Sequence, residues 1–242
     1  MTALLAVADL YAGYQRGVDI LQGLSLTVGK GSLTLVIGPN GAGKSTLLRA
    51  VFGFLKPQRG AVTFRGERID GAPPFRVKRC GIGYVPQEIN TFPLLTVEEN
   101  LMMGGWTLRH DRAALKTSVD KVYTVFPALA ERRRKPAGAL SGGQGRMLSV
   151  AREMMTEPEL MLVDEPTAGL APNLVDQVYE VLQTARRTTG TTILLVDQNV
   201  EDAVGHADFV YMVNLGRIKA EGPAAAFGSE RVRVLIQECL LG

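Results

Sequence analysis

Residues 38–46 of this chain are Gly38-Pro39-Asn40-Gly41-Ala42-Gly43-Lys44-Ser45-Thr46, and they fill every fixed position of a phosphate-binding loop. The glycines allow the backbone to wrap closely around phosphate oxygens, because they carry no side chain. Lys44 is placed to reach the terminal phosphates of a nucleotide, and the Ser45 hydroxyl is placed to bind a magnesium ion. This segment therefore predicts a nucleotide site that uses Mg²⁺.

The residues on either side of this loop have the order that a nucleotide-binding fold requires. An apolar run over 33–37 predicts a buried strand, and the run over 46–52 predicts a helix. The first amides and the dipole of such a helix favour an anion. The alternative is an ordinary glycine-rich turn between a strand and a helix. We favour the phosphate loop because all of its fixed positions are occupied.

Two acidic residues follow a second apolar run, Leu160-Met161-Leu162-Val163. Asp164 and Glu165 then stand at the carboxyl end of a predicted buried parallel strand, which is the edge where open α/β sheets bind ligands. We expect Asp164 to belong to the magnesium shell, usually through water, and Glu165 to polarise the hydrolytic water. The alternative is a strand that ends in a solvated acidic turn.

A third motif, Leu140-Ser141-Gly142-Gly143-Gln144, precedes apolar residues at helical spacing. As a local signal it fits a capping box, in which Ser141 caps the helix and Gln144 returns the hydrogen bond. Two glycines in a first helical turn cost about 1 kcal/mol each in propensity, which a cap alone does not require. They indicate that another group approaches this backbone closely. A phosphate fits, because first-turn amides without side chains bind anions.

Together these motifs resemble those of the ATP-binding subunits of ABC transporters, in the same order and at similar spacing. The resemblance includes Gln87 in Tyr84-Val85-Pro86-Gln87 and extends over essentially all 242 residues. It implies an α/β fold, with a RecA-like phosphate-loop NTPase core, a small antiparallel β subdomain and an inserted α-helical subdomain. It also implies ATP as the nucleotide, Mg²⁺ as its cofactor, and hydrolysis of ATP to ADP and phosphate.

The same resemblance assigns roles to individual residues. Tyr14 matches the aromatic residue that stacks on adenine, with Tyr11 the less favoured occupant and simple packing the alternative role. Gln87 matches the glutamine that senses the γ-phosphate and magnesium while linking to the membrane partner; the alternative is an exposed loop amide. Residues 38–46 and 141–144 match the two segments that hold one ATP between different subunits.

Two positions depart from the family pattern. After the apolar run over 193–196 the family commonly has a histidine that contacts the γ-phosphate, and here Gln198 takes that catalytic place. A glutamine amide donates a hydrogen bond but does not titrate near neutral pH as imidazole does. Gly145 stands where the family usually has a larger polar residue. It is expected to weaken the start of the helix by about 1 kcal/mol of propensity.

Segments 96–105, 167–172 and 196–200 resemble the LivF-type subunits of importers for branched-chain and hydrophobic amino acids, including their amide and urea relatives. This resemblance implies a homologous ATPase as partner, either a LivG-like subunit or a second copy of the chain. It also implies two transmembrane permease subunits and, indirectly, a solute-binding protein. The expected location is cytoplasmic, peripheral on the cytoplasmic face of the cell membrane.

Composition agrees with this interpretation. The chain is 46% hydrophobic and 21% charged, which is typical of one domain with a well-buried core. No apolar run approaches the roughly 18 residues of a spanning helix, and the N-terminus lacks a signal-peptide pattern. A net charge of +3 is too mild to predict nucleic-acid binding. Cys80 and Cys239 fit no metal spacing and indicate reduced thiols.

The order of predicted elements suggests how a single ABC ATPase domain over 1–242 is organised. Strand patterns predominate in residues 1–89 and 158–242, which are expected to form the nucleotide-binding core with the antiparallel β subdomain. Residues 90–157 have helical periodicity and are expected to form the helical signature subdomain. Strand-like segments within 209–220 predict a hairpin.

Two other functions fit parts of the sequence. A non-transport or export-type ABC ATPase, for example one for iron-sulfur assembly or lipid extraction, would share the motifs. An unrelated phosphate-loop kinase or GTPase would not need residues 140–144, and the guanine-specific pattern Asn-Lys-x-Asp is missing. The sequence does not indicate the transported solute, because such a subunit contacts nucleotide and permeases rather than solute.

Overall fold

The computed structural model describes residues 3–15, 17–228 and 234 of the chain, so that Cys239 lies outside the described residues. The strands are β1 (Ala3–Ala12), β2 (Leu21–Gly29), β3 (Leu33–Ile37), β4 (Arg59–Phe64), β5 (Glu67–Arg68), β6 (Ile82–Val85), β7 (Leu160–Asp164), β8 (Thr192–Val196), β9 (Phe209–Asn214) and β10 (Arg217–Pro223). The helices are α1 (Lys44–Phe52), α2 (Pro74–Arg79), α3 (Val97–Gly104), α4 (Arg112–Val125), α5 (Pro127–Ala130), α6 (Gly142–Met154), α7 (Pro172–Thr189) and α8 (Val200–Val204).

The larger sheet has its strands in the order β10-β9-β3-β8-β7-β6. The strands from β9 to β6 run parallel to one another, and β10 is antiparallel to β9. In the centre of the sheet, Val196 of β8 pairs with Val36 of β3 on one side and with Asp164 of β7 on the other. The loops that follow these three strands therefore emerge together at one edge.

The central strands are buried at every position because both faces of the sheet are covered. Successive side chains point to opposite faces, so each strand contributes to two apolar cores. Leu35 and Leu195 pack in the core that contains residues of α4, α6 and α7. Val36 and Val196 pack in the other core, with residues of α1 and of the smaller sheet. This packing fixes the edge at which the motifs lie.

The smaller sheet is antiparallel, in the order β2-β1-β4-β5. It confirms the prediction of an antiparallel sheet beside the main one. The predicted hairpin is also present, because β9 and β10 pair across a tight turn. Leu215 and Gly216 have φ angles of 47° and 75° in that turn, a combination typical of two-residue hairpin loops.

Between residues 97 and 154 the described elements are helices, and three of them begin with a side-chain cap. Thr96 and Ser141 each form a capping box, and Asp111 caps α4. The boundaries of the helical subdomain, 90–157, and of the core, 1–89 with 158–242, stay predictions.

Candidate functional site

The phosphate loop connects β3 to α1 through backbone conformations that favour glycine. Gly41 and Gly43 have φ angles of 80° and 105°. A Cβ atom on Gly38 would lie 2.1 Å from the carbonyl oxygen of Val213, so a side chain there would collide with the backbone of β9. The tip of the loop, at Asn40 and Gly41, is exposed to solvent. The loop is therefore shaped by the sheet and open on its outer side.

The rest of the loop is tied to its surroundings by backbone contacts. The Ala42 amide donates to the carbonyl of Pro39 at 3.2 Å, and the Ala42 carbonyl accepts from the amide of Gly216 at 2.9 Å. Thr46 is buried in the first turn of α1. These contacts hold the start of α1 against the hairpin of β9 and β10.

Lys44 is buried at the start of α1, with 4% of its surface exposed. Its Nζ donates to the carbonyl oxygens of Gly38 at 2.9 Å and Pro39 at 3.2 Å, and lies 3.8 Å from Oε1 of Glu165. Burial lowers the pKa of Lys44, although the charges of Glu165 and Asp164 oppose this shift. The phosphate loop thus surrounds the ammonium group of Lys44 at the position where the sequence predicts the phosphates.

Ser45 and Asp164, both predicted for the magnesium shell, are in direct contact. The Ser45 hydroxyl donates to Oδ1 of Asp164 at 2.8 Å. Asp164 is 2% exposed, and its second oxygen, Oδ2, accepts from the hydroxyl of Tyr84 at 3.1 Å. The carboxylate therefore has one donor on each oxygen.

Glu165 is held in an unusual backbone conformation immediately after β7. Its φ is 44°, which is uncommon for a residue with a side chain, and its amide donates to the carbonyl of Val196 at 2.8 Å. Such strained residues cluster at functional sites. Burial raises the pKa of Glu165, while a hydrogen bond from Gln198 and the charge of Lys44 oppose the shift.

Both predicted glutamines converge on the same carboxylate oxygen of Glu165. Gln87 follows β6, and its Nε2 donates to Oε2 of Glu165 at 2.9 Å. Gln198 follows β8, and its Nε2 donates to the same oxygen. Oε1 of Glu165 faces Lys44. The structure thus brings together four residues that the sequence selected from four separate motifs.

The oxygen donors at this edge suit Mg²⁺, which prefers hard oxygen ligands and usually takes the rest of its shell from phosphates and water. Ser45 and Asp164 supply a hydroxyl and a carboxylate. The amide nitrogen of Gln87 contacts Glu165, and its place in the metal shell stays a prediction. In the described part of the chain, no three His, Cys, Asp or Glu side chains form a metal-binding cluster.

The signature segment, residues 140–144, forms the capping box that its local pattern allows. The Gln144 amide donates to Oγ of Ser141 at 3.3 Å, and the Ser141 amide donates to Oε1 of Gln144 at 3.2 Å. Gly142 is exposed, whereas Gly143 is buried, and a Cβ atom on Gly143 would lie 3.2 Å from Cδ2 of Leu174. Packing therefore accounts for one of the two glycines, and the other leaves the start of α6 open.

Gly145 lies one turn into α6 and has a packing neighbour as well. A Cβ atom there would lie 3.3 Å from Cδ1 of Ile89. The helix continues without interruption to Met154.

Tyr14 lies apart from the cluster around Glu165. Its side chain is 56% exposed, and its hydroxyl accepts a hydrogen bond from Nη1 of Arg49 at 3.2 Å. An exposed ring beside α1 is compatible with stacking on a base, which stays a prediction.

Sequence reasoning missed three side chains that support this site. Tyr84 donates to Asp164, and Thr167 donates to both oxygens of the buried Asp197, at 2.9 and 3.0 Å. Arg146 of α6 is 3% exposed and donates to the carbonyl of Pro86 at 3.1 Å, next to Gln87. A signal existed for Tyr84, because a tyrosine within an apolar run needs a partner for its hydroxyl.

The comparisons with known proteins agree with this geometry. The ABC transporter family matches residues 21–168 of the chain. The high-affinity branched-chain amino acid transport ATP-binding protein BraG of Pseudomonas aeruginosa is 39% identical over 218 residues, which cover 90% of this chain and 92% of BraG. The chain belongs to the ABC transporter family. It is an ATP-binding subunit of this family and an ATPase, as the motifs predicted.

Two further likenesses extend over most of this ABC ATPase. The probable branched-chain amino acid transport ATP-binding protein LivF of Archaeoglobus fulgidus is 37% identical over 221 residues, covering 91% of this chain and 92% of LivF. The solved structure of the ADP conformation of MJ1267, an ATP-binding cassette of an ABC transporter, has a TM-score of 0.84 and 29% identity, with full coverage of both chains. The predicted fold class is confirmed. Among the described residues, no helix has the length and apolar character needed to span a bilayer.

Proposed function

We propose that this ABC ATPase powers an importer for branched-chain amino acids or for related amides or urea. It works as a peripheral subunit on the cytoplasmic face of the cell membrane. The observation that carries the proposal is the convergence of Lys44, Gln87 and Gln198 on Glu165, beside the pair of Ser45 and Asp164. Similarity to BraG and LivF supports the choice of solute class.

In this proposal, Lys44 exchanges the carbonyl oxygens of its own loop for the terminal phosphates of ATP. Glu165 accepts a proton from the attacking water as the bond to the γ-phosphorus forms and the bridge to ADP breaks. Gln87 and Gln198 orient the carboxylate, and neither amide takes up a proton. Ser45 and Asp164 would hold Mg²⁺, which supplies charge neutralisation at the phosphate oxygens.

The proposal also requires a second ATPase subunit. Ser141 and Gly142 are exposed at the start of α6, and in the described residues no hydrogen bond joins the signature segment to the phosphate loop. The free amides of a helix start form a good site for the phosphates of an ATP held by another subunit. The partner is a homologous ATPase, either LivG-like or a second copy of this chain.

The membrane partners are two permease subunits, with a solute-binding protein acting on them from the other side. The segment between Gln87 and α3 exposes apolar side chains, with Leu94 93% exposed and Ile89 and Phe92 each 44% exposed. A groove of about 510 Å³ beside this segment is lined by residues that include Pro86. Exposed apolar patches of this kind mark interaction sites. No nucleic-acid partner is part of the proposal.

Movement at the catalytic edge reaches that segment through α6. Arg146 donates to the carbonyl of Pro86 at 3.1 Å, and Arg152 donates to the carbonyl of Asn90. In this proposal, the helical part, residues 90–157, moves with the loop that carries Gln87. ATP binding closes two subunits, and hydrolysis lets them separate, which changes the position of the permeases.

The variant Glu165→Gln tests the catalytic part of this proposal. It preserves the size of the side chain but removes the base, so we expect ATP turnover to fall by about 10²- to 10⁴-fold while ATP affinity is retained. Glu180→Gln, an exposed position on α7, is the matched control and should leave turnover unchanged. Unchanged turnover of Glu165→Gln would reject Glu165 as the base.

The solute is tested on the assembled transporter. We expect ATP turnover in proteoliposomes to rise when the companion binding protein carries leucine, isoleucine or valine, or alternatively a short amide or urea. Failure of all of these solutes to stimulate turnover would reject the importer class proposed here.

A further inference from the structure

Tyr84 joins two parts of the molecule that the catalytic proposal does not connect. It lies on β6 and pairs with Leu162 of β7, so its side chain lies on the same face as Leu162 and, two residues further on, Asp164. The Tyr84 hydroxyl donates to Oδ2 of Asp164 at 3.1 Å. Oδ1 of the same carboxylate accepts from Ser45 at 2.8 Å. The register of β6 against β7 thus places the Tyr84 hydroxyl at Oδ2 of Asp164, while Ser45 contacts Oδ1.

The ring of Tyr84 is held firmly by other aromatic side chains. Its centroid lies 5.2 Å from that of Phe52 and 5.3 Å from that of Phe54, and Tyr84 is 8% exposed. Aromatic pairs at these distances have favourable tilted and edge geometries. A phenylalanine ring would meet the same packing, so the packing alone does not require a tyrosine. The hydroxyl, which distinguishes tyrosine from phenylalanine, makes a contact outside this aromatic packing, with Asp164.

The partner of the Tyr84 hydroxyl is the buried carboxylate of Asp164. A carboxylate oxygen accepts hydrogen bonds, and the Tyr84 hydroxyl directs its proton to Oδ2 of Asp164. Asp164 is 2% exposed, and a buried carboxylate that loses a donor loses a strong, charge-assisted hydrogen bond.

We propose that Tyr84 is a positioning residue that fixes the Asp164 carboxylate for Mg²⁺, an inference that rests on the proposed function. With a donor on each oxygen, rotation of the carboxylate would break both hydrogen bonds. Oδ1 is therefore kept beside Ser45, where the two oxygens would serve the same ion. Partners of this kind around metal ligands typically change metal affinity by about 10- to 100-fold when they are removed.

The test measures how much Mg²⁺ strengthens nucleotide binding. The affinity for the non-hydrolysable ATP analogue AMP-PNP is determined by calorimetry, once with Mg²⁺ and once with EDTA, for the unmodified chain and for Tyr84→Phe. The matched control is Tyr123→Phe, because the buried Tyr123 hydroxyl has no hydrogen-bond partner among the described residues. Both variants lose one phenolic oxygen and keep the ring.

We expect Tyr84→Phe to bind AMP-PNP normally in EDTA. The factor by which Mg²⁺ raises its affinity for AMP-PNP should be about tenfold smaller than in the unmodified chain. Tyr123→Phe should keep the full gain. An unchanged gain in Tyr84→Phe would overturn the inference, and so would an equal loss with and without Mg²⁺, which would indicate a packing role. If the unmodified chain itself gains nothing from Mg²⁺, the magnesium site of the proposed function fails, and this inference fails with it.

Discussion

Lys44 is a buried cation whose contacts are arranged for an incoming anion. With 4% of its surface exposed, it has lost most of its hydration, and its Nζ is bound by two loop carbonyls while Glu165 lies 3.8 Å away. Burial disfavours the charged form of a lysine, and its pKa is lowered here. Phosphate oxygens would replace neutral carbonyls by charged acceptors, and charge-assisted hydrogen bonds are the stronger kind.

We therefore predict that Lys44→Met weakens ATP binding by about 10- to 100-fold, since hydrogen bonds to charged groups contribute about 1.5–3 kcal/mol. The measurement is a titration with a fluorescent ATP analogue. Lys30→Met is the matched control, because the Lys30 side chain is 71% exposed and lies 4.0 Å from Glu159, away from the phosphate loop. Equal ATP affinity in Lys44→Met and Lys30→Met would contradict the role of Lys44.

The pH dependence of turnover follows from Glu165, which acts as a base only when it is deprotonated. Burial raises its pKa above the ordinary value of 4.5, and the hydrogen bond from Gln198 opposes this shift. We predict that kcat falls as the pH is lowered through this raised pKa. Gln198→Ala removes a donor to the carboxylate, so the fall should occur at higher pH. A profile that stays in place or moves to lower pH would contradict this assignment.

The raised pKa of Glu165 also makes the free energy of unfolding depend on pH, and this dependence has the opposite trend to that of kcat. A carboxyl whose pKa is raised by folding binds more protons in the folded state than in the unfolded chain. This difference applies between about pH 4.5 and the raised pKa of the folded state. The contribution of Glu165 to the free energy of unfolding is therefore lost as the pH rises through that range. Burial disfavours the ionised form of Glu165, and a group held at such a cost to stability is typical of functional sites.

At the level of elements, α6 shows how packing modifies a propensity argument. The sequence predicted that Gly145 weakens the start of this helix, and a glycine does cost about 1 kcal/mol there relative to alanine. The neighbour that a Cβ atom would meet is the terminal Cδ1 of Ile89, at 3.3 Å. Ile89 is 44% exposed, so its side chain has room to move aside.

We predict that Gly145→Ala stabilises the chain by up to about 1 kcal/mol and raises its melting temperature by about 2–4 °C. Calorimetry or thermal unfolding followed by circular dichroism measures this change. Gly104→Ala, at the end of α3, is the contrasting variant, because its Cβ would lie 2.3 Å from the backbone carbonyl of Arg152. It should lower the melting temperature, and the proposed packing is wrong if both variants shift it in the same direction.

Elements with strong patterns were predictable, and those defined by pairing were not. The buried runs of β3, β7 and β8 and the hairpin of β9 and β10 follow from composition and turn residues. Strand β6 was missed as an element, since its four residues are too few for periodicity, although the motif that follows it was found. The contact of Tyr84 with Asp164 depends on the register of β6 against β7, which no local pattern specifies.

The sequence selected residues that the structure brings together, but it did not specify their geometry. Lys44, Glu165, Gln87 and Gln198 belong to motifs whose chemistry selects them. That both amides donate to one oxygen of Glu165 follows from the order of β6, β7 and β8 in the sheet. Arg146 was missed because a buried arginine on a helix has no motif; its role depends on the loop that it meets.

At the scale of the whole molecule, the exposed segment after Gln87 is the surface proposed to meet the permeases. Leu94 is 93% exposed, so Leu94→Asp should fold normally and keep the turnover of the isolated chain. We predict that it reduces co-purification with the permeases by at least about tenfold, because a charge is placed in an apolar contact. Leu215→Asp, 68% exposed in the hairpin turn, is the matched control. Equal recovery of both variants would exclude Leu94 from the contact.

The closure of two subunits around ATP is tested most directly by measuring the molar mass of the protein in solution with light scattering. For Glu165→Gln with Mg-ATP, mixed with its companion ATPase or alone, we expect stable association of two ATPase chains, which ADP does not support. Adding Ser141→Arg should prevent association and leave ATP binding intact, because the start of α6 contacts the nucleotide of the other subunit. Hydrolysis at the full rate by an unmodified chain that keeps the mass of one subunit would contradict the proposed mechanism.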